Sequence, residues 1–391
     1  MDLSTITFSF FLIFTGAALF ASIALYTRQP LIIAYIALGA VIGPFGLSMV
    51  TDLNLLSDIG HVGIIFLLFL LGLDMQPQAL WSTLRKSTVV AIFSSLLFIA
   101  VGFAVPYLFG FSFRDSLVVG AAMMFSSTII GIKLLPTTVL HHRHIGELMI
   151  GLLLLQDVLA IIVLMVLYSA TDGDSSDMGA DLALSMLSLP LLVGGALLVV
   201  RYLLLPLITK FDRFHEYIFL LAIGWCLGVA ESAAALGLSA EIGAFIAGIT
   251  IATSPISQYI AVNLKPLRDF FLILFFFSVG ARFDFTVLGD VIFPALVLSV
   301  LVLTCKPAVY RFLLGGVSEK RSLAWDLGFR LGQASEFSLL IAYVAVGSAL
   351  ISTEASLLIQ ATTIITLLVS SYIVVLNYPS PIAISDRLRR D

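Results

Sequence analysis

The stretch IIFLLFLLGLD (residues 64–74) is matched 208 residues later by LILFFFSVGAR (272–282), with Gly72 aligned to Gly280. The same offset places FSSTII (125–130) over QASEFS (333–338). ALGAVIG (37–43) and IGAFIAG (242–248) match within a residue or two of that offset. Because self-similarity at a fixed offset marks an internal duplication, the chain is predicted to contain two related units.

Both units are too apolar for a water-soluble domain, since 60% of the 391 residues are hydrophobic and only 11% are charged. About 20 apolar residues cross the ~30 Å hydrocarbon layer of a bilayer as a helix, and thirteen such runs follow one another. We number them as spans 1 to 13: 3–25, 31–50, 57–74, 87–109, 115–139, 146–170, 182–207, 215–235, 238–254, 263–283, 290–314, 323–350 and 353–377. The predicted fold class is an all-α integral membrane protein with 13 transmembrane helices.

Positive charges set the predicted orientation. When the loops are assigned alternately to two sides, fourteen lysines and arginines fall on one side and only Arg114 and Arg282 on the other. Since lysine and arginine are enriched in cytoplasmic loops, the C-terminus is expected in the cytoplasm and, with an odd number of spans, the N-terminus outside. Residues 1–10 carry one acid and no base, so span 1 is expected to stay rather than to be cleaved as a signal peptide.

The two units are predicted to be inverted six-helix repeats. Repeat one covers about 1–170, span 7 (182–207) links the units, and repeat two covers about 215–377. Because span 7 separates them, the second repeat enters the membrane from the opposite face, which is typical of secondary transporters. In such folds the substrate site lies near the midplane, where one discontinuous helix from each repeat crosses the other.

Spans 5 and 12 are the predicted crossing, discontinuous helices. Their centres are polar or glycine-rich at a depth where lipid would demand apolar residues: Ser126, Ser127, Thr128 and Gly131 in span 5, and Gly332, Gln333, Ser335 and Glu336 in span 12. Irregular backbone at this depth is tolerated where protein or a water-filled cavity surrounds it. The alternative is that these side chains only hold helices together. Their matching positions in the two repeats favour a binding site.

One carboxylate lies in the middle of an otherwise apolar run, GLLLLQDVLAIIVLM (151–165). Asp157 is about twelve residues into span 6 and therefore near the bilayer centre, where an acid is unfavourable and usually functional. A permanent structural pairing with a base is the alternative, but the repeat equivalent is the apolar Ile365. A carboxylate there would bind either a proton or a monovalent metal cation. Gln156 beside it adds no second charge.

Two bases inside the spans are candidate ion-pair or gating residues, and one of them is a candidate partner of Asp157. Lys306 in span 11, beside Pro307, either pairs with Asp157 or extends its amine to the cytoplasmic headgroups. Arg330 and Glu336 bracket Gly332 and are expected to pair across the break in span 12, as a structural brace or as a functional link.

These residues resemble the Kef branch of the monovalent cation:proton antiporters, the glutathione-regulated potassium-efflux proteins. The resemblance covers nearly the whole chain in six stretches: LGAVIGPFGL (38–47), LFLLGLDM (68–75), LLLLQDVLAI (152–161), GLSAEIGAFIAG (237–248), FFFSVGARFDF (275–285) and LGQASEF (331–337). It implies an Nha/Nap-type antiporter fold in a bacterial cytoplasmic (inner) membrane.

The resemblance also implies roles for residues and helices. Asp157 is the shared cation and proton site, Lys306 corresponds by helix to the lysine that pairs with this acid in sodium-exchanging relatives, and the Gln156–Asp157 pair is similar to potassium exchangers. Spans 5, 6, 12 and 13, about 115–170 and 323–377, form a core domain that moves against a dimerisation domain in a homodimer. Potassium/proton exchange is thus the expected activity, and sodium/proton exchange is the alternative.

Two departures from the Kef pattern bear on the ion. Only PSPIAISDRLRRD (379–391) follows span 13, so no cytoplasmic nucleotide-binding domain is expected, and the loop that is acidic in the gated members carries two bases and one acid here (256–269). Both departures argue against glutathione or nucleotide gating and weaken the potassium assignment.

Other classes of function fit the sequence less well. An organic-anion symporter on the same scaffold would offer cations or amides rather than an acid at its centre, and a channel would need a continuous polar stripe. No nucleophile and base arrangement indicates an enzyme, and no cofactor or nucleic-acid partner is expected. Cys226 and Cys305 stand singly in different spans, without zinc or disulfide spacing.

Overall fold

The computed structural model describes residues 3–27, 29–50, 53–74, 77–127, 131, 144–172, 178–211, 213–236, 238–252, 254, 257–316 and 319–380. These residues form fifteen α-helices: α1 Leu3–Tyr26, α2 Leu31–Ile42, α3 Leu53–Asp74, α4 Pro77–Leu108, α5 Phe113–Met123, α6 His144–Asp172, α7 Met178–Val199, α8 Leu205–Lys210, α9 His215–Ala235, α10 Ala240–Ala252, α11 Ser257–Ala281, α12 Phe285–Gly316, α13 Arg321–Arg330, α14 Glu336–Gly347 and α15 Thr353–Asn377. A π-helical turn, Val200–Leu204, joins α7 to α8 without a break.

Each predicted span corresponds to one helix, to two consecutive helices or to the described part of one. Six helices in the described part of the chain are long and apolar enough by themselves to cross a membrane, and four more are shorter apolar helices. Large apolar side chains on α1, such as Phe11, Leu19 and Ile23, are more than half exposed. The serines and threonines of α15 from Ser356 onward are buried instead. This distribution suits a chain whose solvent is hydrocarbon.

Span 2 is shorter than predicted. Its helix α2 ends at Ile42 because Gly43 and Pro44 follow, and the backbone of Gly43 is extended while its N–H caps the carbonyl of Gly39. Residues 43–47 form turns rather than the last helical turns of a span reaching residue 50.

Spans 5 and 12 are interrupted, as predicted. Helix α5 ends at Met123 and is followed by non-helical residues 124–127, which we call the first break. Span 12 consists of α13 and α14, separated by Leu331–Ser335, the second break. The Ser335 hydroxyl accepts the N–H of Phe337, and the Ser338 hydroxyl accepts the N–H of Ser335, so the two serines form a capping box. Ser335, three residues after Gly332, therefore caps the start of α14 as a new helix.

The chain divides into two compact units. The first contains residues 1–49, 81–164 and 279–391, and the second contains residues 50–80 and 165–278. Within the first, α12 packs along α13 and α15, α14 packs against α5 and α15, and α1 packs against α2. Within the second, α10 packs against α3 and α9.

Two glycines show the repeat in the packing itself. In the second unit, a Cβ placed on Gly72 of α3 would overlap the carbonyl oxygen of Phe245 in α10. In the first unit, a Cβ placed on Gly280 of α11 would overlap the carbonyl oxygen of Ile36 in α2. Gly72 and Gly280 are repeat equivalents, and so, within one residue, are the segments they contact. Span 3 of repeat one therefore packs closely on span 9 of repeat two, and span 10 of repeat two packs closely on span 2 of repeat one.

Candidate functional site

The two breaks meet in the first unit. The Ser126 hydroxyl in the first break donates to the carbonyl oxygen of Leu331 in the second break at 2.8 Å. Both side chains are buried. Because irregular backbone leaves carbonyl and amide groups without helical partners, the first break here supplies a partner for a carbonyl of the second.

Lys306 of α12 ties the two breaks together. Its Nζ donates to the carbonyl oxygens of Phe125 at 2.5 Å and Gln333 at 3.0 Å, and lies 3.4 Å from the Ser126 hydroxyl. The side chain is 1% exposed. An ammonium has three donors and no acceptor, and these three oxygens account for all of them. The alternative in which Lys306 extends to the headgroups is therefore wrong.

Gln156 of α6 braces the first break from another side. Its Oε1 accepts the N–H of Ser126 at 3.0 Å, and its Nε2 donates to the carbonyl oxygen of Met124 at 3.3 Å. The same Nε2 donates to the hydroxyl of Tyr310 at 2.8 Å. Both polar atoms of this buried amide are thus engaged with protein groups, which is how a buried amide avoids the cost of desolvation.

Sequence reasoning missed Tyr310. It lies on α12 one turn after Lys306, is fully buried, and makes an edge-on ring contact with Phe98 of α4 at 5.5 Å between centroids. The Lys306 ammonium lies 5.1 Å from the same Phe98 ring. A lysine and a tyrosine four residues apart share one helix face, and this spacing in an apolar run was the available signal.

Helix α15 supports the second break. The Ser370 hydroxyl donates to Gln333 Oε1 at 2.9 Å, and the Thr366 hydroxyl accepts the N–H of Ala334 at 3.1 Å. Ser338 in α14 donates to the carbonyl oxygen of Ala122 at 2.6 Å, at the end of α5. None of these three hydroxyl residues was predicted, although the helical spacing of Thr366 and Ser370 in TTIITLLVSS (362–371) is visible in the sequence.

Two predicted ligands lie at the start of α14. Ser335 is buried, and its hydroxyl accepts the N–H of Phe337 at 3.2 Å, so it acts as a helix cap. Glu336 is 4% exposed and occupies the first turn. The amino end of a helix favours a negative charge, and this position suits a buried carboxylate.

The predicted pairing of Arg330 with Glu336 is replaced by another ion pair. Arg330 Nε contacts a carboxylate oxygen of Asp326 at 2.7 Å, and its Nη2 donates to the carbonyl oxygen of Pro379 at 2.8 Å. Its guanidinium also lies 5.9 Å from the ring of Tyr378. Asp326 is one helical turn back and on the same face, whereas the second break separates Arg330 from Glu336. Arg330 therefore links α13 to the residues after α15.

Of three further predicted site residues in or near the first break, the structure describes one completely. Ser127 is described and fully buried, whereas Thr128 lies outside the described residues. The backbone of Asp157 is part of α6, directly after Gln156, and its side chain lies outside the described part. Within that part, no group of three or more His, Cys, Asp or Glu side chains could hold a metal ion. The described contacts at the junction of the two breaks use carbonyl, hydroxyl and amide oxygens.

Comparisons with known proteins agree with this architecture. Residues 10–376 match the family described as sodium/hydrogen exchanger, transmembrane. The iron transporter MagA of Paramagnetospirillum magneticum is 28% identical over 88% of this chain and 79% of its own length. K(+) efflux antiporters 4 and 6 of Arabidopsis thaliana are 30% and 28% identical over 87% of this chain, which spans 58% of the length of each.

A solved structure shows the same fold. The sodium proton antiporter MjNhaP1 from Methanocaldococcus jannaschii at pH 8 superposes with a TM-score of 0.73 over 95% of this chain and 96% of its own, at 18% identity. The predicted antiporter fold with inverted repeats and interrupted helices is thereby confirmed.

Proposed function

The chain belongs to the transmembrane sodium/hydrogen exchanger family and is a cation:proton antiporter, and we propose that it exchanges potassium for protons through Asp157. Asp157 binds the cation and the proton alternately. The observation that carries the proposal is the position of its neighbour: the Gln156 side chain contacts Met124 and Ser126 in the first break. The next residue of α6 is thus held at the level where the two breaks meet.

A single carboxylate at this depth couples the two fluxes. A bare carboxylate is costly to carry through hydrocarbon, whereas a protonated or cation-bound one is neutral. A moving domain can then cross with either ligand bound, but poorly with none. Because the domain crosses only when the carboxylate holds a cation or a proton, this one site exchanges the two ions, and no separate gate for each is needed.

The oxygens around the breaks complement the acid. Potassium loses part of its water shell on binding and needs replacement oxygens, which flexible rings of carbonyl and hydroxyl groups supply in ion-selective sites. We assign this role to Ser126, Ser127, Thr128, Gln333, Ser335 and Glu336. The Gln156 amide, fully engaged with protein groups, instead positions the segment that carries the ligands.

Lys306 supplies the positive charge of the site. Its ammonium lies at the junction of the breaks and bonds the carbonyl oxygens of Phe125 and Gln333. In the proposed cycle it offsets the negative charge of Asp157 when that residue is empty and holds the breaks together when it is loaded. Arg330 anchors the end of α13 that adjoins the second break, so that this break lies between the cationic side chains of Arg330 and Lys306.

Potassium is favoured over sodium by two observations. The two plant relatives are named K(+) efflux antiporters, and the acid is preceded by a neutral amide, which leaves a single charge at this point of α6. Sodium is the competing substrate, named for the structural relative. A larger, weakly hydrated ion is the better match to an α6 segment with one carboxylate than to one with two adjacent acids.

The arrangement in the membrane follows the same proposal. The chain works as a homodimer in a bacterial cytoplasmic membrane, N-terminus outside and C-terminus in the cytoplasm. Residues 115–170 and 323–377 form the moving core, with repeat one at about 1–170 and repeat two at about 215–377.

Proton flux in liposomes tests the proposed substrate. Purified protein is reconstituted with an internal pH dye, the membrane potential is clamped, and potassium, sodium or choline is added in turn. Potassium should drive a pH change that sodium and choline do not, and the change should vanish in Asp157→Asn. Asp290→Asn removes an exposed acid of α12 and serves as the matched control. A response to sodium alone would reassign the ion, and an undiminished Asp157→Asn would refute the mechanism.

A further inference from the structure

One face of α15 is polar along most of its length. Ser356, Gln360, Thr363, Thr366 and Ser370 follow one another at intervals of four and three residues, which places them on a single helix face. Each is at most 7% exposed. We call this row the α15 polar file. It is unexpected in a transmembrane helix unless it faces other polar groups inside the protein.

Protein groups satisfy the file at its two ends. Towards the start of α15, Gln360 Nε2 donates to the Ser356 hydroxyl at 3.1 Å. Towards its end, Thr366 accepts from Ala334 and Ser370 donates to Gln333, both in the second break. The carbonyl oxygen of Gln333 in turn accepts from Lys306. The file therefore leads to the junction of the two breaks.

The middle of the file is unsatisfied. Among the described residues, the Oε1 of Gln360 and the hydroxyl of Thr363 have no hydrogen-bond partner although both atoms are buried. The Nε2 of Gln333 is in the same condition at the inner end. A helical threonine normally satisfies its hydroxyl on a carbonyl of its own preceding turn, and Thr363 does not.

The gap lies between two contacts that α15 makes with α14 and with the second break. Ser356 reaches the carbonyl oxygen of Ala342 in α14 at 3.5 Å, and Thr366 contacts Ala334 before α14 begins. Gln360 and Thr363 lie between these two contacts. The first turn of α14 starts in the same interval, and the N–H groups of Phe337 and Ser338 there are bonded to Ser335.

The chemistry of the gap selects its ligand. The only charged residue of α15 is Glu354, in its first turn, so α15 itself offers no counter-charge along the file to a desolvated cation, whose burial would be costly. The buried Glu336, in the first turn of α14, belongs to the proposed cation site. A water molecule is neutral and makes two to four hydrogen bonds to buried groups that lack partners. It can accept from Thr363 or Gln333 and donate to Gln360.

We propose that the α15 polar file holds a chain of ordered water molecules that leads protons to the junction of the breaks. Asp115, whose carboxylate accepts the N–H of Ser352 at 2.8 Å just before α15, is bonded to the polypeptide four residues before Ser356, the outer end of the file. The waters are independent of the ion exchanged, whereas their role as a proton route rests on the proposed function. Protons move by transfer between neighbouring hydrogen-bonded waters, each accepting one proton as it passes on another.

Radiolytic footprinting tests the waters directly. A short X-ray pulse makes hydroxyl radicals from water, and buried side chains are oxidised only where bound water lies next to them. Leu367, on the same face of α15, and Phe337, in the first turn of α14, are both buried. Mass spectrometry should find both oxidised, and Thr363→Val should lower the oxidation of Leu367 about fivefold, as expected when one hydrogen bond to a water is lost.

Matched variants separate the hydroxyl from the packing. Thr363→Ser keeps the hydroxyl and should restore oxidation, and it serves if the valine variant fails to fold. Thr304→Val removes an exposed hydroxyl that bonds its own helix at Val300 and should change nothing. Unoxidised Leu367 and Phe337 in the unaltered protein, or equal oxidation in Thr363→Val, would overturn the water chain.

Exchange measurements test the proton route separately. In liposomes, Thr363→Val should slow exchange about fivefold while leaving the KM for the cation unchanged, because the cation site is not touched. Loss of oxidation with normal exchange would overturn the route while leaving the antiport itself intact.

Discussion

Lys306 and Tyr310 lie one turn apart on α12, and each holds a different part of the first break. The Lys306 ammonium bonds the carbonyl oxygen of Phe125, and the Tyr310 hydroxyl accepts from the Gln156 amide that holds Met124 and Ser126. One face of one continuous helix thus fixes the interrupted helix beside it.

Tyr310→Phe should weaken the brace without disturbing the packing. The ring contact with Phe98 remains, but the Gln156 Nε2 loses its shortest partner, so the free energy of unfolding should fall by about 1 kcal/mol and exchange should slow. Thermal unfolding in detergent and liposome flux measure both effects. Tyr372→Phe removes a hydroxyl that bonds Thr27 at the surface and is the control. Equal behaviour of the two variants would mean that the hydroxyl of Tyr310 has no special role.

Lys306→Met should be strongly destabilising. The substitution leaves the buried carbonyl oxygens of Phe125 and Gln333 without their donor, and an unsatisfied buried group costs roughly 1–3 kcal/mol. The midpoint of thermal unfolding should fall accordingly. Lys320→Met, which removes an exposed lysine before α13, should leave the midpoint nearly unchanged. A Lys306→Met protein as stable as Lys320→Met would contradict the bracing role.

Gly280→Ala should disrupt the packing of α11 on α2. A Cβ there overlaps the backbone of Ile36, and overpacking of this kind costs about 1–3 kcal/mol. Gly72→Ala should act similarly on α3 and α10, because the two glycines are repeat equivalents. Gly228→Ala in α9 meets nothing within 4 Å and should be neutral or slightly stabilising. Thermal unfolding of the three variants compares them, and tolerance of alanine at either packed glycine would refute the close approach.

Arg330 should couple energetically to Asp326 and not to Glu336. In a double-mutant cycle with Arg330→Gln, the interaction energy with Asp326→Asn should be about 1–2 kcal/mol, because residues in direct contact are not additive. The cycle with Glu336→Gln should be additive within a few tenths of a kcal/mol. Chemical denaturation of the single and double variants gives both values. The reverse ranking would restore the pairing expected from the sequence.

Much of the fold could be predicted from sequence because a bilayer imposes simple rules. Hydrocarbon thickness sets the length of a span, so Leu53–Asp74 and Thr353–Asn377 were placed within a few residues. The repeat was visible in the sequence because both copies keep a glycine, Gly72 or Gly280, where a neighbouring backbone leaves no room for a side chain. The end of α2 was missed because Gly43 and Pro44 stop a helix whose apolar run continues.

The sequence indicated which residues lie at the breaks better than it indicated which groups those residues contact. Polar residues at the middle of spans 5 and 12 identified the breaks, since hydrocarbon tolerates such residues only at a site. The hydrogen-bond and ion-pair partners depend on how the helices pack, which the sequence does not specify. Arg330 has Asp326 before it and Glu336 after it in sequence, and the second break lies between Arg330 and Glu336. Tyr310 and Ser370 look like ordinary helix residues until Gln156 and Gln333 are placed beside them.

Proton release on cation binding tests the central claim most directly. Potassium is titrated into detergent-solubilised protein in a weakly buffered solution that contains a pH dye, and the protons released are compared with the cation bound. Because one carboxylate takes either ligand, binding should release protons, and Asp157→Asn should abolish the release. Cation binding without proton release, or release that persists in Asp157→Asn, would contradict the account.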